Sequence, residues 1–376
     1  MKITLNKQEI HNKLANIQGI VEKKTTLPII TNFLMTLGPD KSEIYATDLE
    51  VALKEPIVIE GIQEELTLCL PGKRLFEISR EVEDDLVLED DSTGEGNAAD
   101  IRWIKLKSGK SKFRIACMNP DDYPVWPKFS NQKIITVHSN TLLSIFERTI
   151  YCAGENDPRY AFNGVLLHLI GNLNKLNMVG TDGHRLAIVS HDMELDFEDE
   201  IKVIIPRKAV TELKKFLPAL DDEIVIEVTK NHLLFKLKEK EFLTRLIDGS
   251  YPNYEQVIPI NNDKLVFINR EELIKCLRRV LVMGKDKARV MKVEIADDTF
   301  ALSVSDPEIG EANDSVNVQY NAEPITMGLN ARFLLDTLLS MQTPTVSMEL
   351  LDTLNPTIFK EEGSDDYKCV LMPMRI

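Results

Sequence analysis

The sequence predicts an α+β chain made of three repeated two-helix domains, and three observations predict it. A short strand-like segment leads into a helical pattern three times: "KITL" into "NKQEIHNKLANIQGIV", "KIITV" into "HSNTLLSIFERTIYCA" and "KLVFI" into "NREELIKCLRRVLVMG". The anchors Ile3, Ile135 and Val266 stand 132 and 131 residues apart, and self-similarity at a fixed spacing marks a repeat architecture. Each copy then carries a Ser/Thr-Asp pair and a second helical stretch.

The first and third helices open on Asn6 with Glu9 and on Asn269 with Glu272, the spacing of a capping box. Asn32 and Asn163, 131 residues apart, each open an apolar strand-like run. The pairs Thr47-Asp48, Thr181-Asp182 and Ser305-Asp306 follow. Second helices are expected over "PGKRLFEISREV", "IPRKAVTELKKFL" and "LNARFLLDTLLSM", the first two with Pro near the first turn, where a missing N–H costs nothing. Each copy closes on a tyrosine beside acidic residues, in "DDYPVWP", "DGSYPNY" and "DDYKCVLMP". The segments between alternate apolar with polar, as Leu49, Val51 and Leu53 do, which predicts half-buried antiparallel strands backed by the helix pair. Residues 88–100, "LEDDSTGEGNAAD", lack periodicity and read as an exposed hairpin insertion. The expected domains are 1–130, 131–259 and 260–376.

At 376 residues the chain exceeds what one core organises. No apolar run approaches the roughly 18 residues that span a bilayer, and the N-terminus lacks a secretory apolar region, so no membrane and a cytoplasmic location are expected. Cys69, Cys117, Cys152, Cys276 and Cys369 are odd in number, widely spaced and without a CxxC pair; they read as buried small hydrophobes, with no metal site. Phosphate-loop, dinucleotide, zinc-protease and nucleophile-elbow motifs are absent, so no cofactor is implied and a non-enzymatic role is favoured.

A net charge of −15 argues at first against nucleic acid. The charges are segregated, however: the six helical stretches together carry +10 and all other residues −25. A basic helical face is what a phosphate backbone selects, although Lys and Arg are also good helix formers on any solvated face. No base-reading motif accompanies it.

"TDGHR", residues 181–185, is the one catalytic-looking cluster. The matching stretches read "TDLEV" and "SDPEI", so the aspartate is common to all copies and fits a turn residue, while Gly183, His184 and Arg185 belong to the middle copy alone. A small-ligand enzyme built around this turn remains the competing reading.

The chain resembles the bacterial sliding clamps, the β subunits of DNA polymerase III. The resemblance runs over the whole length and is carried by "TLPII", "ATDLE", "TDGHRLA", "VIIPRKAV", "SYPNYEQVIP" and "YKCVLMPMRI". It implies domains of the DNA clamp type in a head-to-tail homodimeric ring, with basic helices around double-stranded DNA and an acidic exterior. By matched position it implies sequence-independent DNA contact at Lys24, Lys73, Arg74, Arg80, Asn156, Arg207 and Lys208. It also implies a cleft for short peptide motifs of the DNA polymerase III alpha subunit, the clamp loader, other polymerases and mismatch-repair proteins. That cleft falls on Phe162, Thr181, Gly183, His184, Arg185, Leu186, Pro252, Gln256, Val257, Asn330, Phe333, Val370, Leu371, Met372, Pro373, Met374, Arg375 and Ile376. The ring joint falls on Phe113 and Ile115 against Val282 and Met283 of a second copy, with core packing as the alternative for these four.

Overall fold

The computed structural model describes residues 2–21, 26–59, 62–91, 102–130, 132–217, 221–283, 290–306, 308 and 310–376. One order of ten elements recurs three times. The first copy runs β1 (Lys2–Leu5), α1 (Lys7–Ile17), β2 (Asn32–Leu37), β3 (Glu43–Thr47), β4 (Val51–Pro56), β5 (Leu66–Pro71), α2 (Gly72–Glu81), β6 (Leu86–Asp90), β7 (Arg102–Ser108) and β8 (Ser111–Cys117). The second runs β9 (Lys133–His138), α3 (Ser139–Ile150), β10 (Gly164–Ile170), β11 (Lys175–Thr181), β12 (Arg185–Asp192), β13 (Glu200–Pro206), α4 (Arg207–Leu213), β14 (Glu223–Val228), β15 (His232–Leu237) and β16 (Lys240–Arg245). The third runs β17 (Lys264–Asn269), α5 (Arg270–Leu281), β18 (Val290–Ala296), β19 (Thr299–Asp306), β20 (Gly310–Tyr320), β21 (Ile325–Asn330), α6 (Ala331–Ser340), β22 (Thr345–Leu350), β23 (Thr357–Glu361) and β24 (Tyr367–Leu371).

The chain forms two compact units, Met1–Leu142 with Lys208–Leu246, and Leu143–Arg207 with Ile247–Ile376. The middle copy therefore lends β9 and β14–β16 to the first unit and β10–β13 to the second. In the first unit a four-stranded sheet has the order β1-β6-β7-β8, and an eight-stranded sheet the order β5-β2-β3-β4-β16-β15-β14-β9. Here α1 packs on α2, where His11 stacks on Phe76 at 5.1 Å and its Nδ1 lies 3.0 Å from Ser79 Oγ. In the second unit one twelve-stranded sheet has the order β13-β10-β11-β12-β24-β23-β22-β17-β20-β19-β18-β21. There α5 packs on α6, and the Arg270 guanidinium donates to the carbonyls of Leu338 and Met341, placing a cation at the negative end of α6. The helices bury their apolar stripes, Ile10, Leu14 and Ile17 on α1 and Leu273, Leu277 and Val280 on α5, while alternate strand residues fill the same cores.

The structure refines several expectations. Asn6 and Asn269 accept the N–H of Glu9 and Glu272 as helix caps. Glu9, however, turns its carboxylate to the N–H of Val58, so the first box is one-sided. The α1 and α4 helices stop at Ile17 and Leu213, short of the predicted ends, and Pro71 occupies the cap position of α2. Strand pairing sets Asn32 against Pro71 and Gly164 against Pro206, so Asn163 sits one residue before the position of Asn32. The two amides still do similar work, each bonding back to the loop before its strand. Tyr123 and Tyr251 lie in connecting segments and donate to the carbonyls of Asn32 and Val179, whereas Tyr367 lies within β24 and donates to Arg148. The acidic insertion begins later than predicted: Leu88 is a buried residue of β6, and Asp91 is buried under Lys105 and Arg114, its carboxylate held below the usual range by those bonds. Residues 92–100 lie outside the described residues. All five cysteines are buried and free.

Candidate functional site

The turn between β11 and β12 is the feature on which the site is built. Asp182 Oδ1 accepts the N–H groups of His184 and Arg185, Thr181 Oγ1 accepts that of Gly183, and the Thr181 hydroxyl donates to the carbonyl of Arg185. The turn after β3 repeats this bond for bond: Asp48 Oδ1 accepts from Glu50 and Val51, Thr47 Oγ1 accepts from Leu49, and the Thr47 hydroxyl donates to Val51. Asp306 accepts the N–H of Glu308 in the third copy. The shared aspartates are turn residues, as their recurrence predicts.

What the middle copy adds is space and a cation. Leu49 has φ 77° and Gly183 φ 87°, so the left-handed turn is made with a side chain in one copy and without one in the other. A Cβ at Gly183 would lie 3.1 Å from Arg159 Nη1 and 3.6 Å from the Phe162 ring. The vacancy lets Arg159 lie over Phe162, 4.0 Å from its centroid, while its Nη2 donates to the Asp182 carbonyl. Arg159 also grips Asp157, whose carboxylate its guanidinium holds down at about 2. Arg185 is 11 % exposed; its Nε and Nη1 reach Asp182 and Asp336 at 3.0 Å, its Nη2 donates to the Tyr151 carbonyl at 2.6 Å, and its plane lies 4.2 Å from the Phe333 centroid. Four directed contacts make it a rivet joining β12 to α3 and α6.

Above this rivet lies an apolar cavity of about 180 Å³, lined by Phe162, Thr181, Gly183, Arg185, Leu186, Pro252, Tyr254, Val257, Val370 and Met372. Nine of the predicted cleft residues thus meet in one place. The other nine are not part of its lining. His184 and Gln256 are exposed, and the His184 carbonyl accepts the N–H of Met372. Asn330 caps α6 by accepting from Arg332 and Phe333, and Leu371 is buried on β24. Pro373 and Met374 are half-buried, Met374 donating its N–H to Gly328, and Arg375 and Ile376 are exposed. Sequence reading missed Tyr254 and Arg159. The first had a signal: Tyr254 and Val257 are three apart on a 3-10 turn and so share a face.

The first copy has the same place filled. Trp126 and Phe129, the counterparts of Tyr254 and Val257 when Tyr123 is aligned with Tyr251, pack against Tyr45, Ala52 and Leu243. Larger rings close there what the smaller Val257 leaves open.

The residues matched to DNA contact divide in two groups. Lys73, Arg74 and Arg80 on α2 are well exposed and pair with Glu77 and Glu81 on the same helix, exchangeable contacts of small worth. Arg207 and Lys208 are tied inward: the Arg207 guanidinium donates to the carbonyls of Ile150 and Ala153 at the end of α3, and Lys208 pairs with the buried carboxylate of Asp48. Asn156 sits in a loop with φ 59°, and Lys24 lies outside the described residues. Of the four joint residues, Phe113 and Ile115 point to one face of edge strand β8, Val282 is 78 % exposed after α5, and Met283 places its Cε against Gly310. Among the described residues no group of acidic, His and Cys side chains is placed to hold a metal, and no helix is long and apolar enough to cross a membrane.

Comparison with known proteins agrees with this geometry. Sequence models of the DNA polymerase III beta subunit match in three parts: the N-terminal domain over residues 1–127, the central domain over 136–253 and the C-terminal domain over 255–375. The beta sliding clamp of Haemophilus influenzae is 30% identical over 378 residues, covering all of both chains. A crystal structure of the DNA polymerase sliding clamp from Pseudomonas aeruginosa with ligand superposes with a TM-score of 0.92 at 30% identity, again over all of both chains. A second crystal structure from that organism, of the sliding clamp bound to griselimycin, gives 0.90 at 29% and the same full coverage. With all three of its domains matched in order along one chain, this protein belongs to the DNA polymerase III beta subunit family.

Proposed function

We propose that the chain works as a DNA sliding clamp: two copies close head to tail into a ring around duplex DNA, and the apolar cavity receives short peptides from proteins that act there. The three domains are taken as 1–130, 131–259 and 260–376, and the clamp itself performs no catalysis. Family membership supports the clamp function. The ring reading is carried by one rule of strand addition. In the first unit β4 of copy one pairs with β16 of copy two, and in the second unit β12 of copy two pairs with β24 of copy three. Each copy's fourth strand thus takes the next copy's last strand. Applied once more, the rule pairs β20 of one chain with β8 of another. Both edges are available among the described residues: β8 ends its sheet, and β20 is taken on its outer side only at Val318–Tyr320. Unpaired edges of this kind are templates for strand addition.

The internal joints also give the register. Phe242 faces Leu53 and Leu243 faces Ala52, while Cys369 faces Ala187 and Val370 faces Leu186. By the pairings within each copy, Phe113 then faces Ala312, Arg114 faces Glu311, and Ile115 faces Gly310 beside Met283. A basic strand with Lys112 and Arg114 thereby meets an acidic one with Glu311 and Asp314.

Double-stranded DNA is the proposed partner of the exposed α2 cations, of the charges at Lys24, Arg207 and Lys208 and of the Asn156 amide, all without base readout. The proposed cleft partners are the DNA polymerase III alpha subunit, the clamp loader, other polymerases and mismatch-repair proteins. The apolar lining with adaptable Met372 supports one pocket serving several such peptides. The ring is tested by mass in solution. Glu311→Arg should shift the dimer toward monomer at micromolar concentration; dimers of undiminished strength in this variant would contradict the register.

A further inference from the structure

The cavity wall Tyr254 is held from behind by side chains that the function above leaves unused. Its hydroxyl lies 2.7 Å from Nδ1 of His168 and accepts Nδ2 of Asn177 at 3.1 Å. Nε2 of His168 is 2.6 Å from Glu200 Oε1. His168 is 1 % exposed and pairs across β10 and β11 directly with Asn177. Oδ1 of Asn177 is buried and, among the described residues, has no hydrogen-bond partner.

Counting donors assigns the protons. Since Asn177 donates to the tyrosine oxygen, that oxygen is free to give its own proton to Nδ1 of His168. A neutral imidazole then carries its proton on Nε2 and gives it to Glu200. Burial, followed by the Lys202 ammonium, holds His168 below its usual value, and burial raises Tyr254, so both stay in these forms at neutral pH. The charged groups facing the imidazole are Lys202 and Glu200 on β13 and Glu255 on the turn that carries Tyr254; β11 presents the uncharged Asn177.

We propose that His168 is a positioning residue for the peptide cleft: neutral, it fixes the Tyr254 ring as a firm wall, and its protonation weakens peptide binding. The inference rests on the reading of the cavity as that cleft. A proton on Nδ1 turns its acceptor into a donor. The Tyr254 oxygen then faces N–H groups from two sides, and its own proton has no acceptor in place. Asn177 Oδ1 can take that proton once its amide turns over, which reverses both bonds of the Tyr254 oxygen, leaves Nε2–H on Glu200, and shifts the wall.

The test is affinity for a synthetic peptide copied from the clamp-binding segment of the DNA polymerase III alpha subunit, from about pH 5 to about pH 8. The unmodified chain should bind progressively more weakly toward the acid end, the loss approaching about tenfold per unit of linked pKa as the pH falls below the His168 pKa. His168→Asn, whose amide oxygen can replace Nδ1 as acceptor, should keep the neutral-pH affinity and lose the slope. His168→Leu should bind more weakly at every pH, while His184→Ala, which removes the exposed histidine of the rim, should keep the slope. Peptide should also lower the His168 pKa, read from the ring nitrogens by NMR. An undiminished slope in His168→Asn would overturn the inference while leaving the cleft standing. Absence of binding by the unmodified chain at every pH would overturn the cleft reading and this inference together.

Discussion

Arg185 and Asp182 show how little a residue's type says about its role until its partners are known. Together with His184 they resemble a catalytic set, yet Asp182 spends one oxygen on two backbone N–H groups and the other on Arg185. Arg185 in turn is fully engaged by Asp336, the Tyr151 carbonyl and the Phe333 ring. Removing it leaves Asp182 without its cation in a largely buried place and Asp336 with only the exposed Arg332, so Arg185→Ala should cost about 3 kcal/mol. The check is chemical denaturation, where a loss of well under about 1 kcal/mol would show the rivet to be idle. Arg185→Lys should recover only part, because an ammonium cannot serve the planar, forked set of acceptors. This aspartate was legible in the sequence because its recurrence in three copies separates a turn requirement from chemistry. Arg159 was not legible: its value depends on the space at Gly183, which only the folded turn reveals.

Elements were legible to the extent that a period or a cap declares them. The threefold recurrence with two helices in each copy follows from the spacing of Ile3, Ile135 and Val266, whereas the number of strands per copy came only with the fold. Helix ends were less so: α1 and α4 stop at Ile17 and Leu213 although Ile20, Phe216 and Leu217 just beyond them stay buried, so an apolar period runs on past the helix that it announces. The charge count over helical stretches was blind to partners: Arg207 is drawn to the end of α3 and Lys208 to Asp48. The segment after β24 is the element whose removal separates site from scaffold. Met372 lines the cavity and bonds to the His184 carbonyl, Met374 bonds to Gly328, and Arg375 and Ile376 are exposed. Deleting residues 372–376 should abolish binding of the alpha-subunit peptide, measured by calorimetry, and leave the dimer mass unchanged. Unaltered peptide affinity would show that the segment takes no part in the site.

At the scale of the molecule, one pairing rule used twice inside the chain leaves one use for a neighbour. In the proposed ring that one remaining use would close a threefold repeat without a new kind of interface. Phosphate contacts of this kind position DNA without reading it and weaken steeply with salt, so attraction alone gives no lasting hold. Topology would. The most direct measurement loads the protein with its clamp loader on nicked circular plasmid, raises the salt, and then cuts the plasmid once. The account predicts retention on the circle at high salt and rapid loss once the DNA is linear; equal retention on circular and linear DNA would contradict it.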